Sequence, residues 1–245
     1  MSLQKPTIVL FDMDGTVIRH INPLLLHVLE RIDDFSHKCA RFFSWMFNRK
    51  IQSPPLVEFR DGKRKKLLVH RAMHKFRRKE IEEIVEPCPG IYDILDLLRA
   101  NHIPMGIISN GLGKGYGHDV LRKFDLDKYF EITIFREDIT RPKPYPDPIL
   151  EALKKMTRPP EKNDVIWYIG DRHKDVKAAL AAELYLPCDI QPIAYTLNAA
   201  IAVLEHNIGP DHIIMGWPDL EATLQHMFRD QKKEKADDKK IKRIF

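Results

Sequence analysis

Apolar residues come in short unbroken blocks along this chain, and the blocks end in small or polar residues. Ile8-Val9-Leu10-Phe11 runs into Asp12-Met13-Asp14-Gly15-Thr16, Pro104-Met105-Gly106-Ile107-Ile108 into Ser109-Asn110-Gly111, and Val165-Ile166-Trp167-Tyr168-Ile169 into Gly170-Asp171. Runs of this length without polar alternation are the mark of strands buried on both faces. The pattern predicts strands over 7–11, 104–109, 131–135, 164–169, 192–196 and 212–215. Helical spacing predicts helices over 90–101, 114–123, 146–157, 175–184, 198–206 and 218–228. Strand and helix alternate, so the expected class is α/β with a parallel sheet.

Residues 18–86 interrupt this alternation. Ile32, Phe35, Cys39, Phe42, Phe43, Met46 and Phe47 are spaced for one apolar helix face. That face reads as the core of an insert, or alternatively as a helix lying on a membrane beside Arg41, Arg49 and Lys50. Pro54-Pro55 ends the region, Asp61-Gly62 marks a turn, and a second helix is expected over about 66–85. His70 and His74, four apart on it, could share a metal but have no third ligand, so surface histidines are the simpler reading. Pro87 and Pro89-Gly90 punctuate the return to the body. The tail 229–245 alternates Lys with Asp and Glu and reads as a frayed helix end or a disordered segment.

Charge sharpens this division. The 245 residues carry a net charge of +5, but residues 18–86 hold +7, the tail holds +4 and the remainder −6. A basic insert accompanies an acidic body, and the insert either serves an anionic substrate or is a solvated face. No apolar run approaches the ~20 residues of a membrane span, and the first strand starts too early to leave room for a signal peptide. Cys39, Cys88 and Cys188 are odd in number and widely spaced, so a reducing cytoplasm is expected. No nucleic-acid partner and no stable membrane insertion are expected.

The strand ends carry the chemistry. Asp12 and Asp14 are one residue apart where a buried strand stops, and open α/β sheets bind ligands at such ends. In an extended segment residues i and i+2 point the same way, so the two carboxylates can face one reacting centre. They repel unless a cation or a proton neutralises them. Gly15 permits a sharp turn and Thr16 can cap it. Ser109 can donate to a phosphate oxygen, and the amides of Asn110 and Gly111 lie at a strand-to-helix turn that favours anions. Lys143, inside the Pro-laced run Arg141-Pro142-Lys143-Pro144-Tyr145-Pro146, supplies a fixed positive charge. Gly170-Asp171 and Asp175 bring two more carboxylates, which could equally serve the start of the following helix.

Asp12 to Thr16, Ser109, Lys143 and Gly170 to Asp175, in this order, resemble the four motifs of the haloacid dehalogenase superfamily, over about residues 7–228. The resemblance implies a Rossmann-like doubly wound parallel sheet core, residues 1–17 and 87–228, with an inserted mainly helical cap over 18–86. It implies Asp12 as the nucleophile forming an aspartyl-phosphate, and Asp14 as the acid that protonates the leaving group and then activates water. It implies Mg2+ held by Asp12, Asp171 and the Asp14 carbonyl. Asp175 then acts through water or orients Lys143, and Ser109, Asn110 and Lys143 bind phosphate. The chain is most similar to capped phosphoglycolate phosphatase-like members, so the expected activity is hydrolysis of a small phosphomonoester. Thr16 stands where sugar phosphomutases commonly have Val, which favours a phosphatase over that alternative. A non-catalytic binding protein would be expected to have lost a motif residue. The basic cap departs from the familiar pattern and points to a phosphorylated metabolite with further negative or polar groups, with Arg60, Lys63, Arg64, Arg77 and Arg78 as candidate contacts.

Overall fold

A computed structural model of the chain describes residues 3–21 and 81–241. His70, His74, the basic residues from Arg60 to Arg78 and most of the expected insert helices lie outside the described residues. The end of the helix expected over 66–85 is described and is not α-helical, with a 3-10 turn over Ile81–Glu83 and a strand over Val85–Pro87, as the proline disfavours helix at the residue before it. The chain divides into two compact units, residues 1–19 with 87–245, and residues 20–86.

The apolar blocks form strands. β1 is Ile8–Asp12; two short strands, β2 (Ile18–His20) and β3 (Val85–Pro87), form a separate two-stranded sheet; β4 is Met105–Ile108, β5 Ile132–Ile134, β6 Val165–Gly170, β7 Asp189–Tyr195 and β8 Ile213–Ile214. The main sheet is parallel, in the order β5-β4-β1-β6-β7-β8. After β5 the chain crosses from one side of β1 to the other, and this reversal beside β1 is where doubly wound sheets bind ligands. All five residues of β1 are buried. Ile8 and Leu10 face a core with Ile149 and Leu153 of helix α3 (Asp147–Lys155) and Ala178 and Ala182 of α4 (His173–Glu183). Phe11 points to the other face, edge-on to Phe130 at 6.0 Å and tilted against Trp217 at 6.1 Å between ring centres. Trp217 opens the last helix, α6 (Trp217–Ile241), which packs with α1 (Ile91–Ala100). Two covered faces explain why the strand sequence does not alternate.

Three elements differ from expectation. The helix expected from 114 begins at His118 (α2, His118–Lys123), preceded by a wide turn over Gly113–Gly117 in which Gly115 has φ +78°. Four glycines between 111 and 117 cannot propagate a helix cheaply. β7 begins three residues early and contains Pro192. The Pro192 carbonyl accepts from His212 Nδ1 at 2.9 Å on the side away from β6, so the missing N–H of Pro192 also faces that open edge. α5 spans Leu197–Glu205, as expected. α6 spans Trp217–Ile241, past the expected end at 228, because the tail lacks Gly and Pro and is rich in Lys, a good helix former. Among the described residues, no helix is long and apolar enough to cross a membrane.

Candidate active site

The parallel register brings the motifs together. Asp12 lies level with Ile108 on β4, so Ser109 leaves its strand beside the carboxylate. Phe11 lies level with Ile169 on β6, so Gly170 and Asp171 follow at the same end. Beyond β1 the chain turns tightly, with the Val17 and Ile18 amides both donating to the Met13 carbonyl at 3.0 Å. Gly15 has φ +91°, and a Cβ there would overlap the Asp171 carboxylate. Only glycine meets both demands. Thr16 does not cap this turn: its Oγ1 is buried without a hydrogen-bond partner among the described residues, and backbone bonds close the loop.

Lys143 is the hub. Its buried Nζ contacts Asp12 Oδ1, lies 2.7 Å from Asp175 Oδ1 and donates to the Ile108 carbonyl at 3.2 Å. The Asn110 side chain grips the Lys143 backbone at two points: Oδ1 accepts from Lys143 N at 3.0 Å and Nδ2 donates to Lys143 O at 3.2 Å. Asp175 sits at the third residue of α4 and accepts from Arg172 N at 3.0 Å, with Tyr168 Oη 3.5 Å from its other oxygen. A Cβ on Gly170 would overlap Asp175, which explains the glycine there.

Asp14 faces a second group. Ser109 Oγ donates to Asp14 Oδ2 at 3.1 Å and accepts from Gly111 N at 2.9 Å. Tyr116 Oη donates to Asp14 Oδ1 at 2.8 Å. Glu137 takes Gly113 N at 2.9 Å and Lys114 N at 3.0 Å, holding the turn that carries Tyr116. Sequence reasoning missed Tyr116 and Glu137. An aromatic residue in a glycine-rich turn after a strand end was a usable signal for the first; Glu137 had none, because it arrives from another loop.

Asp12, Asp14, Asp171 and Asp175 set four carboxylates around the buried Lys143 ammonium, with Arg172 3.8 Å from Asp171 at the edge of the group. Burial, with the charges of Asp175, Asp171 and Asp14, outweighs Lys143 and pushes Asp12 up to about 8. Burial and Asp175 push Asp171 up to about 6. Burial works against the charge of Lys143, but Asp12 and Asp175 override it and hold the ammonium well above the ordinary lysine value. Burial and then Asp14 hold the Tyr116 phenol well above its ordinary value, so it stays a donor.

This excess of negative charge suits a divalent cation. Carboxylate oxygens of Asp12, Asp171 and Asp175 lie within 4.8 Å of one another. An octahedral ion with bonds of about 2.0–2.1 Å sets its ligands roughly 3 to 4 Å apart, close to that spacing. Asp171 Oδ1 is buried without a hydrogen-bond partner among the described residues, as an oxygen awaiting a cation would be. Both Asp175 oxygens are already engaged, so Asp12 and Asp171 are the freer donors.

Residues 9–186 match the haloacid dehalogenase-like hydrolase family. The chain belongs to that family. It is 28% identical over 218 residues to pyrophosphatase PpaX of Oceanobacillus iheyensis, covering 86% of this chain and 94% of that protein. It is 25% identical over 220 residues to phosphoglycolate phosphatase of Nitrosococcus oceani, covering 86% and 93%. A HAD-superfamily hydrolase from Ehrlichia chaffeensis shares the fold, with TM-score 0.57 and 21% identity over 93% of this chain and 100% of that one. The chain is thus a phosphatase-type enzyme of the family, and the expected resemblance and the α/β class both hold.

Proposed function

We propose that the enzyme hydrolyses a small phosphomonoester through an aspartyl-phosphate on Asp12, with Mg2+ as its cation. The observation that carries this reading is the buried pair of Asp12 and Lys143 beside an Asp171 oxygen without a hydrogen-bond partner among the described residues. A carboxylate nucleophile splits one difficult displacement into two easier ones. An Asp12 oxygen attacks phosphorus and the ester P–O bond breaks. The departing alkoxide takes a proton from the Asp14 carboxyl. Asp14, now ionised, accepts a proton from water as that water attacks the phosphoryl group; phosphate leaves and the Asp12 carboxylate is restored. Ser109 and the Asn110 amide bind phosphate oxygens, the Gly111 amide supports the Ser109 hydroxyl, and Lys143 offsets the charge shared by phosphate and Asp12. Asn110 also places Lys143 through its side chain. Mg2+, held by Asp12, Asp171 and the Asp14 carbonyl, would neutralise the phosphate dianion next to these carboxylates. Asp175 orients Lys143.

The +7 charge of residues 18–86 favours a substrate with negative or polar groups beyond its phosphate. Cys88 and Cys188, buried and not in a disulfide, fit a reducing cytoplasm. The test is phosphate release over a panel of phosphomonoesters, with and without EDTA, alongside Asp12→Asn. Release should need a divalent cation and Asp12, and a trapped phosphoryl group should map to Asp12. Phosphorylation of another residue, or EDTA-resistant release, would overturn the reading. So would transfer between sugar hydroxyls outpacing hydrolysis, which would make the enzyme a mutase.

A further inference from the structure

We infer that Tyr116 is a positioning residue for Asp14 and that it aids departure of the leaving group. The inference rests on the proposed role of Asp14 as general acid. Both Asp14 oxygens accept hydroxyl hydrogen bonds, Oδ2 from Ser109 at 3.1 Å and Oδ1 from Tyr116 at 2.8 Å. Ser109 has one proton to give, so it cannot donate to a phosphate oxygen and to Asp14 at once. The Tyr116 contact carries no such conflict and persists when Ser109 turns to phosphate.

The placement of Tyr116 is built by its surroundings. Glu137 holds the Gly113 and Lys114 amides, Gly117 N donates to the Leu112 carbonyl at 3.0 Å, and Arg136 N donates to the Gly111 carbonyl at 2.9 Å. Side chains at Gly113 or Gly117 would run into Phe135, so this turn is packed against the ring and set at one height. The consequence is chemical as well as geometric. When Asp14 gives up its proton it becomes a carboxylate, and a hydroxyl donor strengthens its bond to an acceptor that gains charge. The Tyr116 bond therefore strengthens as the leaving oxygen is protonated, which lowers the barrier and not merely the ground state.

The help should scale with how much the leaving group needs a proton. The experiment measures kcat/KM for Tyr116→Phe and Asp14→Asn on a series of aryl phosphates from p-nitrophenyl to p-methoxyphenyl phosphate. Tyr116→Phe should cost about tenfold on p-methoxyphenyl phosphate, the ~1.4 kcal/mol expected at the low end for a hydrogen bond to a charged group. It should cost less than about twofold on p-nitrophenyl phosphate, whose leaving group departs without protonation. Asp14→Asn should show the same grading, more steeply. Equal losses for Tyr116→Phe across the series, or none, beside a graded Asp14→Asn, would overturn this inference and leave the acid assignment standing. A flat response from Asp14→Asn would remove the acid assignment and the inference with it.

Discussion

Stripped of divalent cations with EDTA, the protein should lose stability between pH 6 and pH 8. In the unfolded chain Asp12 has its ordinary value of 3.8 and is ionised throughout that window; in the fold it is pushed up to about 8 and keeps its proton at pH 6. The folded state then binds more protons than the unfolded one, so stability falls as pH rises, with the penalty growing from 3.8 up to about 8. One proton is worth about 1.4 kcal/mol per pH unit while the folded group stays protonated, and the slope fades near the folded value. The fall is therefore about 2 kcal/mol across the window. For a chain of this size that is roughly 4–8 °C in Tm. Asp171, raised only to about 6, adds little. Lys143, held above its ordinary value, stays charged in both states and adds no slope. Urea unfolding of EDTA-treated wild type and Asp12→Asn at pH 6 and pH 8 checks this, because the variant carries the same histidines and subtracts them. Asp12→Asn should lose about 2 kcal/mol of the wild-type fall. Millimolar Mg2+ should flatten the wild-type fall, since a bound cation favours the ionised carboxylate. The reasoning is refuted if the two proteins show the same pH slope, or if metal-free wild type becomes more stable from pH 6 to pH 8.

Other outcomes follow from the same cluster. Lys143→Met leaves Asp12 and Asp175 without their buried cation, and should cost about 3–5 kcal/mol in urea unfolding of the metal-free protein at pH 8, less at pH 6 where the carboxylates can protonate. A loss below about 1 kcal/mol would contradict the burial argument. Turnover of the same variant should fall by roughly 10²-fold or more, as when a preorganised charge donor is removed. Gly15→Ala forces a Cβ into the Asp171 carboxylate at φ +91°, so calorimetric titration should show at least about tenfold weaker Mg2+ binding, with stability reduced by ~1–3 kcal/mol. Unchanged binding would show that Asp171 can move aside without leaving the cation site.

The chain by itself determined its class and the ends of its strands. Unbroken apolar runs such as Ile8 to Phe11 and Val165 to Ile169 have no polar face to expose, so they must be covered on both sides, and a parallel sheet flanked by helices is what covers them. Polar residues at the ends of those runs then fall at the carboxyl end of the sheet, which is why Asp12, Ser109 and Asp171 could be picked out; Lys143, from its Pro-laced loop, and Asp175, from the start of the next helix, meet Asp12 there. Local composition also misled in places. Thr16 looked like a cap, but the backbone closes its turn; Pro192 looked like the start of a strand, but the open edge beside β7 accepts it inside one.

What the sequence could not supply were contacts between distant segments. That Asn110 grips Lys143, that Glu137 steadies the turn at Gly113, and that Tyr116 reaches Asp14 are separations of 33, 24 and 102 residues. Hydrophobic periodicity is a local signal and carries no information about which loops meet. The strand order and register decide that, by setting which strand ends lie level and how far each loop must reach. The same is true of charge: a row of carboxylates in sequence has ordinary acidity, and only their burial around one ammonium gives Asp12 its raised pKa and the site its demand for a cation.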